Sequence, residues 1–172
     1  MLKKYIDRKD IETTVKRLAY EIEKDYRDKE ILFVCLLKGA FMFTADLIRH
    51  IDNPTRVDFI RASSYGNNMV SCGDVHITKD LEEDIKGRHV IIVDDIIDSG
   101  ITLKYIKEML LQRGPASLKI CVLLDKKAKR QVQIEADYMG HEIDDFFIVG
   151  YGIDYAEHYR NLNDIFIVEG KK

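Results

Sequence analysis

The 172-residue chain has few of the features that direct proteins to the cell exterior, to membranes or to nucleic acid. It has three cysteines, an odd number that gives no disulfide framework, and two of them, Cys35 and Cys121, lie in apolar runs typical of buried thiols. The net charge of -3 provides no overall attraction for nucleic acid or for an anionic membrane. No apolar run is long enough to span a bilayer, and the first residues lack the apolar segment of a signal peptide. We therefore expect a cytoplasmic protein with no nucleic-acid partner and no membrane partner.

The composition is typical of one globular α/β domain. Hydrophobic residues make up 46% of the chain and charged residues 33%, and the length suffices for one sizeable core. Neither a repeat nor a low-complexity linker interrupts it, so residues 1–172 are predicted to form a single domain. Apolar runs that suit buried strands alternate with amphipathic segments that suit helices, the first predicted to have Asp10 as its N-cap and to reach about Lys29. This alternation predicts a mostly parallel, twisted sheet flanked by helices.

The most informative stretch joins a strand to a helix within residues 90–103, which read V-I-I-V-D-D-I-I-D-S-G-I-T-L. The continuous apolar, β-branched run at residues 90–93 is typical of a strand buried on both faces of a parallel sheet. Apolar residues at helical spacing begin at Leu103, and Gly114 with Pro115 ends that helix. The residues between them therefore connect the end of a central strand to the first turn of a helix.

The connecting turn, residues 98–102, has the composition of a phosphate-binding site. Backbone N–H groups at a helix N-terminus and the hydroxyls of Ser99 and Thr102 attract anions, and Gly100 lets the backbone approach an anion closely. Three carboxylates that would repel a bare phosphate lie beside the turn: Asp94, Asp95 and Asp98. A phosphorylated ribose satisfies both features, because its hydroxyls or a bound Mg²⁺ can meet the carboxylates.

Two other interpretations of the V-I-I-V-D-D pattern are less consistent with the chain. A Walker B strand would need a G-x-x-x-x-G-K-[ST] loop, which the sequence lacks. A receiver domain has no need of the D-S-G-x-T turn. Residues 90–103 instead resemble the phosphoribosyl-pyrophosphate signature of the type I phosphoribosyltransferases, and the whole chain resembles the hypoxanthine–guanine members of that family.

The resemblance implies a type I phosphoribosyltransferase fold, with a core at roughly residues 30–145 and a small hood built from the N-terminal segment and roughly residues 146–172. It implies transfer of the 5-phosphoribosyl group from phosphoribosyl pyrophosphate to N9 of hypoxanthine or guanine, with Mg²⁺ as cofactor and pyrophosphate as the second product. A homodimer or homotetramer would follow the family's habit. A xanthine-preferring enzyme is the nearest alternative. A uracil-responsive RNA-binding regulator on the same fold is more distant, because such relatives usually carry Tyr at the position of Asp98.

The resemblance also implies a role for individual residues of this sequence. Asp98 would be the general base, and the phosphoribosyl group would be bound by Asp94, Asp95, Asp98, Ser99, Gly100, Ile101 and Thr102. Pyrophosphate would be bound by Lys38, Gly39 and Arg160, and the peptide before this lysine can be cis in relatives. The purine would be bound by Lys126, Phe147, Ile148 and Asp154. The metal ligands would be Asp154, Asp94 and Asp95, the last two acting directly or through ribose hydroxyls.

Two segments have a second interpretation. Residues 63–73 are rich in Ser, Gly and Asn, and loops of this length in compact domains are commonly functional. Ser64 and Tyr65 match the closing loop of the family, so we predict a lid, the alternative being a long, loose hairpin before a strand at Val75–Lys79. The basic residues at positions 126–130 would, without the resemblance, be an ordinary solvated patch.

Overall fold

The computed structural model describes residues 1–64 and 75–170, which form two sheets and three α-helices. The strands are β1 (Leu2–Ile6), β2 (Ile31–Leu37), β3 (Thr55–Ser64), β4 (Val75–Lys79), β5 (His89–Ile97), β6 (Ser117–Asp125), β7 (Tyr138–Glu142), β8 (Ile148–Val149) and β9 (Ile165–Val168). The helices are α1 (Arg8–Asp25), α2 (Phe41–Ile48) and α3 (Ile101–Leu111), with a 3₁₀ turn at Lys127–Lys129. In this part of the chain no helix is both long and apolar enough to cross a membrane.

The larger sheet, in the order β4-β3-β2-β5-β6-β7, is parallel except at one edge. β2 pairs in parallel with β3 and with β5, and the parallel pairing continues through β6 to β7. The edge strand β4 runs antiparallel to β3. The predicted α/β architecture with a mostly parallel sheet is therefore confirmed.

Side chains alternate between two cores, one on each face of the larger sheet. On β2, Phe33 packs with residues of α1 and α2, whereas its neighbour Leu32 packs with residues of α3. Successive strand residues point to opposite faces, so a continuous apolar run fills both cores. Cys35 and Cys121 are free and buried as predicted, and burial raises the pKa of the Cys35 thiol to about 11.

Helix α1 begins earlier than the sequence predicts. Its N-cap is Asp7, in extended backbone, whose carboxylate accepts a hydrogen bond from the Lys9 N–H at 2.6 Å. The prediction of Asp10 as the N-cap is wrong, because this residue lies in the first helical turn. Its negative charge still interacts favourably with the helix dipole there. The helix begins early because strand β1 ends at Ile6, so that the next residue is already the N-cap.

The smaller sheet, in the order β1-β9-β8, joins the beginning of the chain to residues after 147. β1 pairs antiparallel with β9, and β9 pairs antiparallel with β8. Two hydrogen bonds connect this sheet to the helices: Tyr151 donates its hydroxyl hydrogen to Asp46 at 2.7 Å, and the Arg8 N–H donates to Asp164 at 2.7 Å. The buried Ile165 extends the α1 and α2 core into the smaller sheet.

Strand β5 is longer than its apolar run and continues through Ile97. Asp94 and Asp95 therefore lie within the strand and not beyond it, and Asp94 is paired with Val122 of β6. Parallel strands place their carboxyl ends at one edge of the sheet, so the ends of β2, β5 and β6 converge there. This edge positions the candidate site.

Substitution of two glycines by alanine distinguishes a position that has no space for a side chain from one whose backbone conformation is unfavourable for other residues. A Cβ at Gly140 in β7 would collide with the Leu123 carbonyl of β6 and come within 3.0 Å of Thr14, whereas Gly87 has φ +71° and no atom within 4 Å of its would-be Cβ. Gly140→Ala should lower the free energy of unfolding by about 2–3 kcal/mol, because a strand backbone cannot move aside as a rotamer can. Gly87→Ala should cost about 1 kcal/mol, the penalty of a left-handed backbone. Urea unfolding measures both, and an equal or smaller loss at Gly140 would contradict the packing described.

Candidate active site

Three chain segments meet at the carboxyl ends of β2 and β5. A Cβ on Gly39, just after β2, would collide with the Asp95 carboxylate of β5. A Cβ on Gly152, in the segment after β8, would collide with the Gly39 carbonyl. The peptide bond between Leu37 and Lys38 is cis. The absence of a side chain at Gly39 and Gly152 thus allows their two backbones to lie against each other and leaves room for the Asp95 carboxylate.

Two basic side chains lie over this junction. The Lys38 ammonium donates to the Glu157 carboxylate at 2.8 Å. Arg160 donates from Nη1 to the Gly152 carbonyl at 2.8 Å, and its Nη2 lies 2.9 Å from Asp154 Oδ1 and 3.5 Å from Glu157 Oε2. Arg160 Nε is buried and has no hydrogen-bond partner among the described residues. Lys38, Arg160 and Asp154 are therefore brought together, with Glu157 between the two cations.

The acidic pair lies beneath these cations. Burial, followed by the negative charge of Asp95, raises the pKa of Asp94 well above its ordinary value. Burial also raises the pKa of Asp95, although the charge of Arg160 acts on it in the opposite direction. The Asp95 N–H donates to Asp94 Oδ1 at 2.9 Å. Carboxylates held in this way favour ligands that bring them hydroxyl hydrogens or positive charge.

The predicted phosphate turn is the N-terminus of α3. Gly100 is the N-cap with φ +81°, and the Ser99 hydroxyl accepts a long hydrogen bond of 3.4 Å from the Ile101 N–H. The first N–H groups of a helix lack intrahelical partners, so they are available to an anion. Thr102 is half-buried in the first turn, whereas Asp98, immediately before the turn, is exposed.

Lys126 lies beside this turn at the end of β6. Its backbone N–H donates to the Ile97 carbonyl at 2.9 Å, which brings it next to Asp98, and the residue is only 8% exposed. Lys126 is therefore not part of a solvated basic patch, the interpretation that it would have without the resemblance, because the pairing of β6 with β5 draws its backbone into the sheet. Lys127 and Lys129 do face outward, each in an ion pair, with Glu142 and Asp145 respectively.

Arg130, the remaining member of the patch, is a functional candidate that sequence analysis missed. Its guanidinium forms an ion pair with the buried Asp125 and would lie 3.3 Å from a Cβ on Gly100. Its Nη1 is buried and unpartnered within the part of the chain that the structure describes. The sequence signal for this ion pair was that Asp125 and Arg130 flank the lysines. Within a run of charged residues such a pair is difficult to recognise. Glu157 was also missed, because nothing in the sequence relates it to Lys38.

The purine-side candidates lie at the smaller sheet. The Phe147 ring packs edge-to-face on Tyr155, with centroids 5.4 Å apart and planes at 87°. The Phe147 carbonyl accepts from the Val168 N–H at 2.8 Å, and Ile148 is paired with Ile167. In antiparallel pairing, hydrogen-bonded and non-hydrogen-bonded residue pairs alternate along the strands. Because Phe147 is hydrogen-bonded to its partner, the N–H and C=O groups of the next residue, Ile148, point away from β9. Because β8 is the edge strand, that side has no further strand in the described sheet.

The predicted lid lies largely outside the described residues, and the predicted metal ligands are not grouped into a site. Ser64 ends β3, where its backbone pairs with Val75, and Tyr65 lies outside the described residues. Within residues 1–64 and 75–170, no three His, Cys, Asp or Glu side chains are grouped to hold a metal ion. Asp154 instead pairs with Arg160 and accepts a hydrogen bond from the Glu157 N–H at 2.8 Å. The three predicted metal ligands therefore do not form a complete coordination shell by themselves.

Comparison with known proteins identifies the family. A family model described as "Phosphoribosyl transferase domain" matches residues 2–156. The curated hypoxanthine-guanine phosphoribosyltransferase of Aquifex aeolicus is 49% identical over 169 residues, covering 98% of this chain and 95% of its own. That of Bacillus subtilis is 49% identical over 157 residues, covering 91% and 87%.

Comparison of the fold with solved structures identifies the same family. The crystal structure of a hypoxanthine-guanine phosphoribosyltransferase from Bacillus anthracis, with a HEPES molecule in its active site, matches with a TM-score of 0.94 and 48% sequence identity. The match covers 98% of this chain and 99% of that one. The resemblance seen in residues 90–103 thus extends over nearly the whole molecule, and the chain belongs to the phosphoribosyltransferase family.

Proposed function

We propose that the chain transfers the 5-phosphoribosyl group of phosphoribosyl pyrophosphate to N9 of hypoxanthine or guanine and releases pyrophosphate. The observation that carries this proposal is the meeting of the Lys38-Gly39 turn and of Arg160 with the half-buried acidic pair, Asp94 and Asp95. It joins cations suited to a pyrophosphate with carboxylates suited to ribose hydroxyls. The names of the curated relatives support the purine substrate. They do not favour the xanthine-preferring or RNA-binding alternatives.

Lys38 and Arg160 would bind the pyrophosphate that leaves. Negative charge builds on this group as its bond to ribose C1 breaks, and preorganised cations stabilise that charge most effectively. Arg160 is preorganised by its hydrogen bond to the Gly152 carbonyl. Gly39, without a side chain, would let its backbone approach both the pyrophosphate and Asp95.

The turn at α3 would hold the 5′-phosphate, and Asp98 would act on the purine. The backbone of Gly100 and Ile101 and the side chains of Ser99 and Thr102 would bind the phosphate oxygens, while Asp94 and Asp95 would accept hydrogen bonds from the ribose hydroxyls. The Asp98 carboxylate would take the purine N7 proton as N9 attacks C1. A base in this position must lie close to both the ribose and the purine.

Lys126, Phe147 and Ile148 would recognise the base. The Lys126 ammonium can donate to a 6-oxo group but cannot accept from the amino group of adenine. The Phe147 ring would lie over the purine, and the outward backbone of Ile148 would pair with the base edge. In this proposal the six-stranded unit binds phosphoribosyl pyrophosphate, and the smaller sheet is the hood over the purine. Assembly as a homodimer or homotetramer stays a prediction.

Magnesium fits the acidic residues of the site. Asp94, Asp95 and Asp154 offer hard oxygen donors, the type that Mg²⁺ prefers, and the pyrophosphate and water would supply the remaining ligands. When bound, the metal would neutralise part of the pyrophosphate charge. Asp154, which forms an ion pair with Arg160, would be the residue that holds the metal from the loop after β8.

Pyrophosphate release with different bases tests the proposed function directly. The purified chain, given phosphoribosyl pyrophosphate and Mg²⁺, should release pyrophosphate with hypoxanthine or guanine and far less with adenine or uracil. Excess chelator should abolish release, and added Mg²⁺ should restore it. Release with uracil alone, or with none of the bases, would refute the assignment.

Asp98→Asn tests the general base. The variant should lower kcat by roughly 10²–10⁴ and leave binding of phosphoribosyl pyrophosphate unchanged, because an amide cannot take the purine proton. Steady-state kinetics and calorimetric titration measure the two quantities. Asp10→Asn, an exposed substitution in the first turn of α1, is the matched control and should retain full activity. A normal kcat for Asp98→Asn would exclude the assigned role.

Lys126→Met tests recognition of the 6-oxo group. It keeps the apolar stem but removes the donor, so KM for the purine should rise by roughly 10-fold or more while KM for phosphoribosyl pyrophosphate changes little. Lys127→Met removes the same charge from the adjacent exposed residue and should affect neither KM. Equal increases in both KM values at Lys126 would mean that it acts only through general electrostatics.

A further inference from the structure

Glu157 lies on the two cations that the proposed function assigns to pyrophosphate. One of its oxygens, Oε2, is 2.8 Å from the Lys38 ammonium and 3.5 Å from Arg160 Nη2. The Glu157 side chain is 63% exposed and that of Lys38 43%. The contact is thus an open ion pair at the surface of the site, which a stronger anion can replace.

A tight turn directs Glu157 toward this position. The backbones of Tyr155 and His158 exchange hydrogen bonds of 3.2 and 3.0 Å, so Ala156 and Glu157 are the two central residues of the turn. Their φ angles are +50° and +67°, a conformation that normally selects Gly or Asn. The Glu157 N–H also donates to Asp154 Oδ2 at 2.8 Å. The backbone therefore holds the glutamate on the inner side of the loop although other residue types fit the turn better.

We propose that Glu157 competes with pyrophosphate for Lys38 and Arg160 and so limits how tightly the site holds this product; the inference rests on the proposed function. A pyrophosphate that reaches both cations must either displace the carboxylate or lie beside it. Displacement breaks the ion pair with Lys38, and coexistence brings like charges together. Both raise the dissociation constant of pyrophosphate, which favours its departure after transfer.

Glu157 could instead help pyrophosphate to bind by holding the two cations in position. On physical grounds this effect is weaker than the competition. Exposed ion pairs of this kind stabilise one geometry only slightly. Arg160 is in any case fixed by the Gly152 carbonyl and by Asp154, contacts that do not involve the Glu157 side chain. Removing the Glu157 carboxylate therefore takes away a competitor and leaves the arginine in place.

Glu157→Gln tests the proposal, because it removes the charge and keeps the size of the side chain. Calorimetric titration with inorganic pyrophosphate and Mg²⁺ should give a dissociation constant about two- to fivefold lower than that of the unaltered chain, the range that corresponds to an exposed ion pair. KM for phosphoribosyl pyrophosphate should fall by a similar factor, whereas KM for the purine should not change. Glu12→Gln is the matched control: Glu12 forms an equally exposed pair with Lys16 at 2.7 Å on α1, and its removal should alter none of these constants.

A second variant separates the charge from the turn. Glu157→Gly also removes the carboxylate and suits the φ of +67°, so it should lower the dissociation constant of pyrophosphate as well. An unchanged or higher constant in Glu157→Gln would overturn the proposal, and so would a decrease confined to Glu157→Gly. If the unaltered chain neither binds pyrophosphate nor releases it from phosphoribosyl pyrophosphate, the proposed function itself fails, a result distinct from equal binding by the chain and its variants.

Discussion

Partial burial of two adjacent carboxylates near the end of β5 is the constraint on which the rest of the site depends. Asp94 and Asp95 both have raised pKa values, because the interior disfavours their charged forms. Such a pair costs stability unless something compensates its charge. Arg160 compensates part of it from the loop after β8, and hydroxyls or a cation brought by a ligand would compensate more. The same cost that weakens the fold at this point prepares it for a sugar phosphate.

The two sheets contribute different residues to the proposed site. The larger one brings three strand ends to a common edge, where the backbone and short polar side chains form the proposed anion site. The smaller one requires both ends of the described chain, since β1 pairs with β9. It carries Phe147 and Ile148 at its edge and is tied to the helices through Tyr151 and Asp164. A site built from both sheets depends on those ties as much as on its own residues.

The sequence predicts the central strands of the larger sheet well, because parallel strands buried on both faces must be continuous apolar runs, whereas the edge strand β7 has no such run and is not predicted. It also predicts the turn that joins β5 to α3, since strand, Gly100 and helix follow one another directly. It fails for β1, whose exposed residues form a strand only because β9 is available for pairing, and this in turn misplaces the N-cap of α1. It fails likewise for Glu157 and Arg130, whose partners lie in other segments or are hidden in a charge run. What could not be predicted is therefore contact between segments distant in sequence.

The contact between Gly39 and Gly152 has a mechanical consequence. Where side chains separate two segments, rotamer changes absorb small displacements, but here one backbone lies directly on another. A shift of residues 150–160 toward the sheet must therefore push Gly39, and a shift away leaves Gly39 room to follow. Gly39 also lies against the Asp95 side chain, so the displacement reaches the acidic pair of β5 through this carboxylate. The loop that carries Arg160 and the strand that carries the acidic pair are thus coupled through Gly39, so that a displacement of the loop changes the surroundings of Asp95.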